Sequence, residues 1–140
     1  MGARRSPPPP EPVAFDSDVL IWYLRGLPAA ARALDEVPYS QRIIPAIVAM
    51  ELVSGCRDRS EQRALRRFVE AAFGGVTLIS DEISRRALML TERHTLSHGL
   101  APADALVAST ALTLRAALLT ANARDYRFVS GLRLRVFRPR

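Results

Sequence analysis

The chain contains no lysine: all 20 of its basic residues are arginine. That excludes every mechanism built on a catalytic lysine, and it leaves a rigid guanidinium fork, well matched to phosphate, as the sole permanent cation. There is one cysteine, so no internal disulfide can form, and a reducing, cytoplasmic setting is the expectation. Cys56 reads as a small core-filling residue. No apolar run reaches the length of a membrane span. The longest candidate, 101–121, is interrupted by Asp104 and Arg115 and reads as helix and strand. A proline run stands near the start, where a secretory apolar region would lie. A membrane partner is therefore not expected. Zinc chemistry of the paired-histidine type is also disfavoured. His94 and His98 stand four apart, but residue 95 is Thr where that motif needs Glu, so the pair reads as a surface feature of a helix end.

What is present is enough for one domain. A chain of 140 residues, nearly half of them apolar, can bury a core without staples. The net charge of +6 favours an acidic partner such as RNA, DNA or an acidic protein. Residues 1–12 (MGARRSPPPPEP) are basic and proline-rich with nothing to bury, and read as a disordered or extended tail before a single domain over 13–140.

Within the domain, short apolar strands alternate with helical patterns. Strands are expected at 13–15, 42–45, 76–79 and 117–120, with a half-buried edge strand at 132–137 where arginine alternates with apolar residues. Helices are expected between them. One ends at Gly26 and Pro28, and an Ala-rich one covers 27–36. Others cover 46–55, an amphipathic charged stretch over 57–73, 81–97 behind a Ser80 cap, and 102–114 opening on Pro102. A turn and short helix follow at 122–128. The pattern predicts an α/β fold, a three-layer αβα sandwich around a mainly parallel sheet of about five strands.

Most of the 14 acids lie on charged helical faces and need no special account. Three stand apart. Asp16 sits where the first strand hands over to a helix, at the carboxyl end of a strand where ligands bind in open α/β sheets, although Asp is also a favoured helix cap. Glu51 follows Ile47 and Val48 by four and three residues, on a face with apolar neighbours, where a carboxylate is costly unless paired. Asp104 lies in the first turn of an otherwise nearly apolar helix, a place where it could simply complement the helix dipole. Gathered at one sheet edge, such acids repel unless cations hold them. Hard oxygen ligands suit Mg²⁺ or Mn²⁺, which can activate water against a phosphodiester.

Four stretches carry a specific resemblance: FDSDVLIWYLRG at 15–26, PAIVAMELVSG at 45–55, PADALVASTAL at 102–112 and LLTANARDYRFVSGLRLRVF at 118–137. In this order and at these intervals they resemble the successive motifs of a PIN domain, and more closely the VapC-type ribonuclease toxins of bacterial toxin–antitoxin pairs. The resemblance covers 13–137. It implies a metal-dependent endoribonuclease that hydrolyses RNA with a metal-activated water, using Mg²⁺ or Mn²⁺. It places the family's acids at Asp16, Glu51 and Asp104, and it implies a homodimer bound by a small VapB-like antitoxin.

The fourth acidic position falls on Asn122 in one version of the family pattern and on Asp125 in another. Asp125 is taken as a catalytic and metal-supporting acid and Asn122 as an orienting group. Asp18 and the hydroxyl residue Thr120 are expected to support the site. Two other readings compete. A catalytically degenerate PIN fold that only binds RNA or a protein is kept open by the neutral Asn122. A phosphatase of the DxD type is suggested by Asp16-Ser17-Asp18, but the lysine and paired-acid motif of such enzymes are missing.

Overall fold

The structure, a computed structural model, describes residues 11–139. Strand β1 (Val13–Phe15) is buried at all three positions, which explains its unbroken apolar sequence. It is followed by α1 (Ser17–Leu24), α2 (Pro28–Asp35), β2 (Arg42–Ile43), α3 (Ala46–Ser54), α4 (Arg59–Phe73), α5 (Asp81–His98), α6 (Pro102–Thr113), β3 (Ala117–Thr120) and β4 (Leu134–Val136). The strands form one sheet in the order β2-β1-β3-β4, with every neighbouring pair parallel.

That order places a topological switch between β1 and β3. From β1 the chain winds through α1 and α2 to β2 on one side, then returns through α3 to α6 to enter β3 on the other side. In open parallel sheets the carboxyl ends of the two strands flanking such a switch leave a crevice. Here those ends are Asp16, just after β1, and Thr120–Asn122, at and just after β3. The Asp16 N–H donates to the Leu119 carbonyl at 3.0 Å, which locks the two strand ends side by side.

The core runs from the sheet into the helices. Phe15, Leu20, Ile44, Val48, Val107 and Leu118 are fully buried. Helix α6 is buried through Ala105, Val107, Ala108 and Ala111, small residues that let it lie close against the sheet and against α5. This all-round burial explains why α6 shows almost no amphipathic pattern in sequence.

Three expectations are corrected. The sheet has four strands, not about five. The segment expected as a strand at 76–79 makes a single parallel bridge, Pro45 to Thr77, through Thr77 N–H to the Ile44 carbonyl and Ala46 N–H to the Thr77 carbonyl, both 2.9 Å. Val76 and Leu78 point outward, so its apolar residues do not serve a strand face, and α3 starts at once on the partner side. Helix α4 begins at Arg59, not at 57. Asp58 caps it by accepting the Glu61 N–H at 2.9 Å, while Arg57 turns back to pair with the Glu61 carboxylate at 3.0 Å.

Residues 11 and 12 of the expected tail make contacts with the domain. The Pro12 carbonyl accepts the Ala117 N–H at 3.0 Å. Glu11 is gripped by Arg133 at 2.8 Å and Arg135 at 2.7 Å, the arginines that alternate along the edge strand. Residues 1–10 of that tail lie outside the described residues.

Candidate active site

The site is built from the first residue after β1, the first turns of α1 and α6, the end of β3, and the turn that follows. Asp16 is the N-cap of α1. Its Oδ1 accepts the Ser17 N–H at 2.9 Å, so the capping reading of this residue holds. Its Oδ2 is engaged quite differently. It accepts from the Thr120 hydroxyl at 2.8 Å and from the Tyr126 hydroxyl at 3.0 Å, both buried. One carboxylate therefore serves the helix with one oxygen and the crevice with the other.

Asp18 projects from the first turn of α1 toward the end of β3. Its Oδ2 accepts the Asn122 side-chain amide at 2.8 Å and the Ala121 N–H at 3.1 Å, with the Thr120 hydroxyl at 3.3 Å. Its Oδ1 is buried and has no hydrogen-bond partner among the described residues. A bare buried carboxylate oxygen is costly, and burial together with the charge of Asp16 pushes the Asp18 carboxyl up to about 6.

Asp104, in the first turn of α6, reaches the same centre through the Tyr126 hydroxyl at 3.2 Å. Burial first, then the Asp16 charge, raise its pKa above the ordinary carboxylate value. Glu51 on α3 is the most exposed of the four acids. Partial desolvation and the charges of Asp16, Asp104 and Asp18 raise its pKa too, and among the described residues its carboxylate has no hydrogen bond to the other three acids or their partners. Burial likewise raises Asp16, opposed by its Thr120, Ser17 and Tyr126 donors.

The two residues competing for the fourth position share one turn, the Asp125 N–H donating to the Asn122 carbonyl at 3.0 Å, but their side chains have different surroundings. Asn122 touches Asp18 directly. Asp125 is exposed at the end of the 3₁₀ turn Ala123–Asp125, where its charge is felt by Asp16 and Asp104. Sequence reasoning missed Tyr126 altogether. The signal was slight: Tyr126 stands between Asp125 and Arg127 in a largely polar turn, and only its burial in the structure shows that the phenol needs a polar partner.

Residues set aside in sequence stay aside. The His98 ring stacks on Phe128 with centroids 4.2 Å apart, and His94 lies 4.9 Å from the same ring, so both imidazoles pack rather than converge on the acids. Cys56 is half-buried, its Sγ 3.5 Å from the Leu52 carbonyl.

Among the described residues, no group of three or more His, Cys, Asp and Glu stands at metal-holding spacing. The donor set nevertheless fits a hard divalent cation. Asp16, Asp18, Glu51 and Asp104 supply carboxylate oxygens alone, each carboxyl is destabilised in its charged form, and Asp18 Oδ1 lacks a partner. Beside Glu51 a groove of about 710 Å³ opens between α1, α3 and α4, with Ile21, Leu24, Leu52 and Leu65 as apolar walls and Arg25 and Arg57 among its lining.

Comparisons with known proteins bear on the family and the fold. Residues 13–130 match the family model described as PIN domain. The chain is 38% identical over 115 residues to Ribonuclease VapC19 of Mycobacterium tuberculosis (strain H37Rv), covering 80% of this chain and 90% of that protein. A toxin–antitoxin complex from Klebsiella pneumoniae contains a chain similar in structure, with TM-score 0.72 at 26% identity, over 91% of this chain and 98% of that one. The DNA-bound VapBC of Salmonella typhimurium shares the fold, with TM-score 0.78 at 17% identity, over 91% of this chain and 99% of that one.

Proposed function

The chain belongs to the PIN-domain family, and from that premise we propose that it is a VapC-type ribonuclease, the toxin of a toxin–antitoxin pair, cutting RNA endonucleolytically with Mg²⁺ or Mn²⁺. The observation that carries the proposal is the meeting of Asp16, Asp18 and Asp104 around Thr120, Asn122 and Tyr126 at the crevice of the β1–β3 switch, with Glu51 within reach of their charges. A structural acid is usually paired with a cation in the fold. In this cluster no arginine forms a salt bridge to any of the four among the described residues.

Asp16, Glu51 and Asp104 would hold the metal, with Asp18 beside them and Asp125 as a supporting acid at the rim. When bound, a divalent cation activates water and offsets charge on the phosphodiester in its transition state. The chain's own contribution is orientation. Thr120 and Tyr126 fix Asp16, Asn122 and the Ala121 N–H fix Asp18, and the α1 N-terminus anchors Asp16 through Ser17. The arginine-only basic complement supplies forked donors for the RNA backbone.

The partners follow from the same reading. The apolar groove beside Glu51 offers a seat for an antitoxin segment, and exposed Leu88, Met89 and Leu96 on α5 leave apolar surface for a second copy. A cytoplasmic location accords with the single cysteine and with the absence, among the described residues, of any helix long and apolar enough to cross a membrane.

The deciding experiment incubates the purified chain with total RNA. Cleavage is expected with Mg²⁺ or Mn²⁺ and none with EDTA. Asp16→Asn and Asp104→Asn should each lose at least about 100-fold in rate while remaining folded by circular dichroism. RNA binding without cleavage at any metal concentration would instead establish the binding-only PIN fold. Cleavage undiminished by EDTA would remove the metal from the mechanism.

A further inference from the structure

Tyr126 is 1% exposed and belongs to the hydrophobic core, yet its hydroxyl is the point at which Asp16, just after β1, and Asp104, in the first turn of α6, meet. Its ring is fixed by the turn that delivers it. The Asp125 N–H donates to the Asn122 carbonyl, the Tyr126 N–H to Ala123, and the Val129 N–H to Tyr126, each at 3.0 Å. The hydroxyl then lies 3.0 Å from Asp16 Oδ2 and 3.2 Å from Asp104 Oδ1.

Accounting for the lone pairs shows what this contact leaves over. Asp16 Oδ2 is filled by Thr120 and Tyr126, while Oδ1 takes only the Ser17 N–H. Asp104 has Tyr126 as its one side-chain donor among the described residues, and that donor takes Oδ1. One face of each carboxylate is thus tied to the same phenol, whose single proton alternates between them, and the remaining oxygens, Asp16 Oδ1 and Asp104 Oδ2, are left with capacity to spare. Two carboxylates on separate helices would otherwise turn apart to reduce repulsion. A phenylalanine would fill the same volume in the core but could not hold them.

We propose that Tyr126 is a positioning residue of the active site, its hydroxyl holding the Asp16 and Asp104 carboxylates side by side so that the lone pairs left on them can take a divalent cation. The inference rests on the metal-dependent reading above. Partners that orient metal-binding carboxylates typically govern affinity by 10- to 100-fold, and Tyr126 is the residue that orients both at once.

Calorimetric titration of Mg²⁺ into the wild type and Tyr126→Phe tests it. Tyr126→Phe is expected to fold, to bind Mg²⁺ about 10-fold more weakly or worse, and to recover cleavage as Mg²⁺ is raised. An unchanged or tighter affinity in the folded variant overturns the proposal. A measurement on the unmutated side chain covers the case in which the variant fails to fold. The chain has 3 tyrosines, so 3-fluorotyrosine labelling gives a simple ¹⁹F spectrum, assigned with Tyr23→Phe and Tyr39→Phe. The Tyr126 signal is expected to move with Mg²⁺ at the midpoint of binding, and a signal that stays still while Mg²⁺ binds overturns the clamp. Failure of the wild type to bind Mg²⁺ or Mn²⁺ at all would overturn the proposed function, and the clamp with it. A wild type that binds beside a Tyr126→Phe that binds equally well overturns the clamp alone.

Discussion

Thr120, fully buried at the end of β3, does two jobs with one hydroxyl: it donates to Asp16 Oδ2 at 2.8 Å and accepts the Asn122 N–H at 3.0 Å. Valine has nearly the same shape and neither capacity. Thr120→Val should therefore cost about 1–3 kcal/mol, the range for leaving a buried polar group unsatisfied, read as a lower urea midpoint with an unchanged slope. A midpoint equal to the wild type's would mean that Asp16 is held adequately by Ser17 and Tyr126 alone. At this scale the sequence was informative where chemistry was out of place. Asp16, Glu51 and Asp104 stood out because a carboxylate beside apolar neighbours asks for an explanation. Tyr126 did not, because a tyrosine between Asp125 and Arg127 gives no sign of burial, and its role depends on a contact 110 residues away in the chain. A separation of 104 residues likewise hid the bond between Asn122 and Asp18.

Among the elements, those with local signals were legible and those set by neighbours were not. Ser80, Pro102 and the paired glycines after Phe73 mark helix ends through capping, fixed φ and left-handed backbone, all of which act within a few residues. Whether Val76–Leu78 pairs as a full strand depends on what lies beside it, and there the α3 start leaves room for one bridge. Gly74, which closes α4 at φ +70°, gives this scale its prediction. An added Cβ would strain the backbone and approach the Tyr39 hydroxyl to 2.7 Å, but that hydroxyl ends a half-exposed, movable side chain. The backbone term then dominates. Gly74→Ala should destabilise by about 1–2 kcal/mol in chemical unfolding while RNA cleavage at saturating Mg²⁺ stays at the wild-type rate. A loss of several kcal/mol would mean that Tyr39 cannot move aside.

For the whole molecule, the acidic crevice sets a pH dependence opposite to that of a chain held together by salt bridges. Asp16, Asp18, Glu51 and Asp104 all have raised pKa values, Asp18 to about 6, so between the ordinary carboxylate range and pH 6 the folded state binds more protons than the unfolded one. Stability without metal must then fall as pH rises through that window and stay low above it. Glu11 and Glu61 pull the other way, since their arginine partners lower their pKa values, but both lie at the surface, where such pairs contribute little. The growing net positive charge at low pH also opposes the trend, and comparison with one substitution cancels both effects. Asp18→Asn should melt above the wild type at pH 7.5 in EDTA, and its advantage should shrink toward pH 4.5 as Asp18 becomes protonated in the wild type. Mg²⁺ should reverse the order. A cation that binds only the folded, deprotonated wild type stabilises it by about 2.7 kcal/mol at a concentration of 100 times Kd, and by less at pH 4.5, where protons compete for the same oxygens. Melting curves of the two proteins at both pH values, with EDTA and with Mg²⁺, test this directly. If the EDTA difference between them is the same at pH 4.5 and 7.5, Asp18 is not carrying a strained charge. If Mg²⁺ raises both melting temperatures equally, Asp18 does not belong to the cation's binding site.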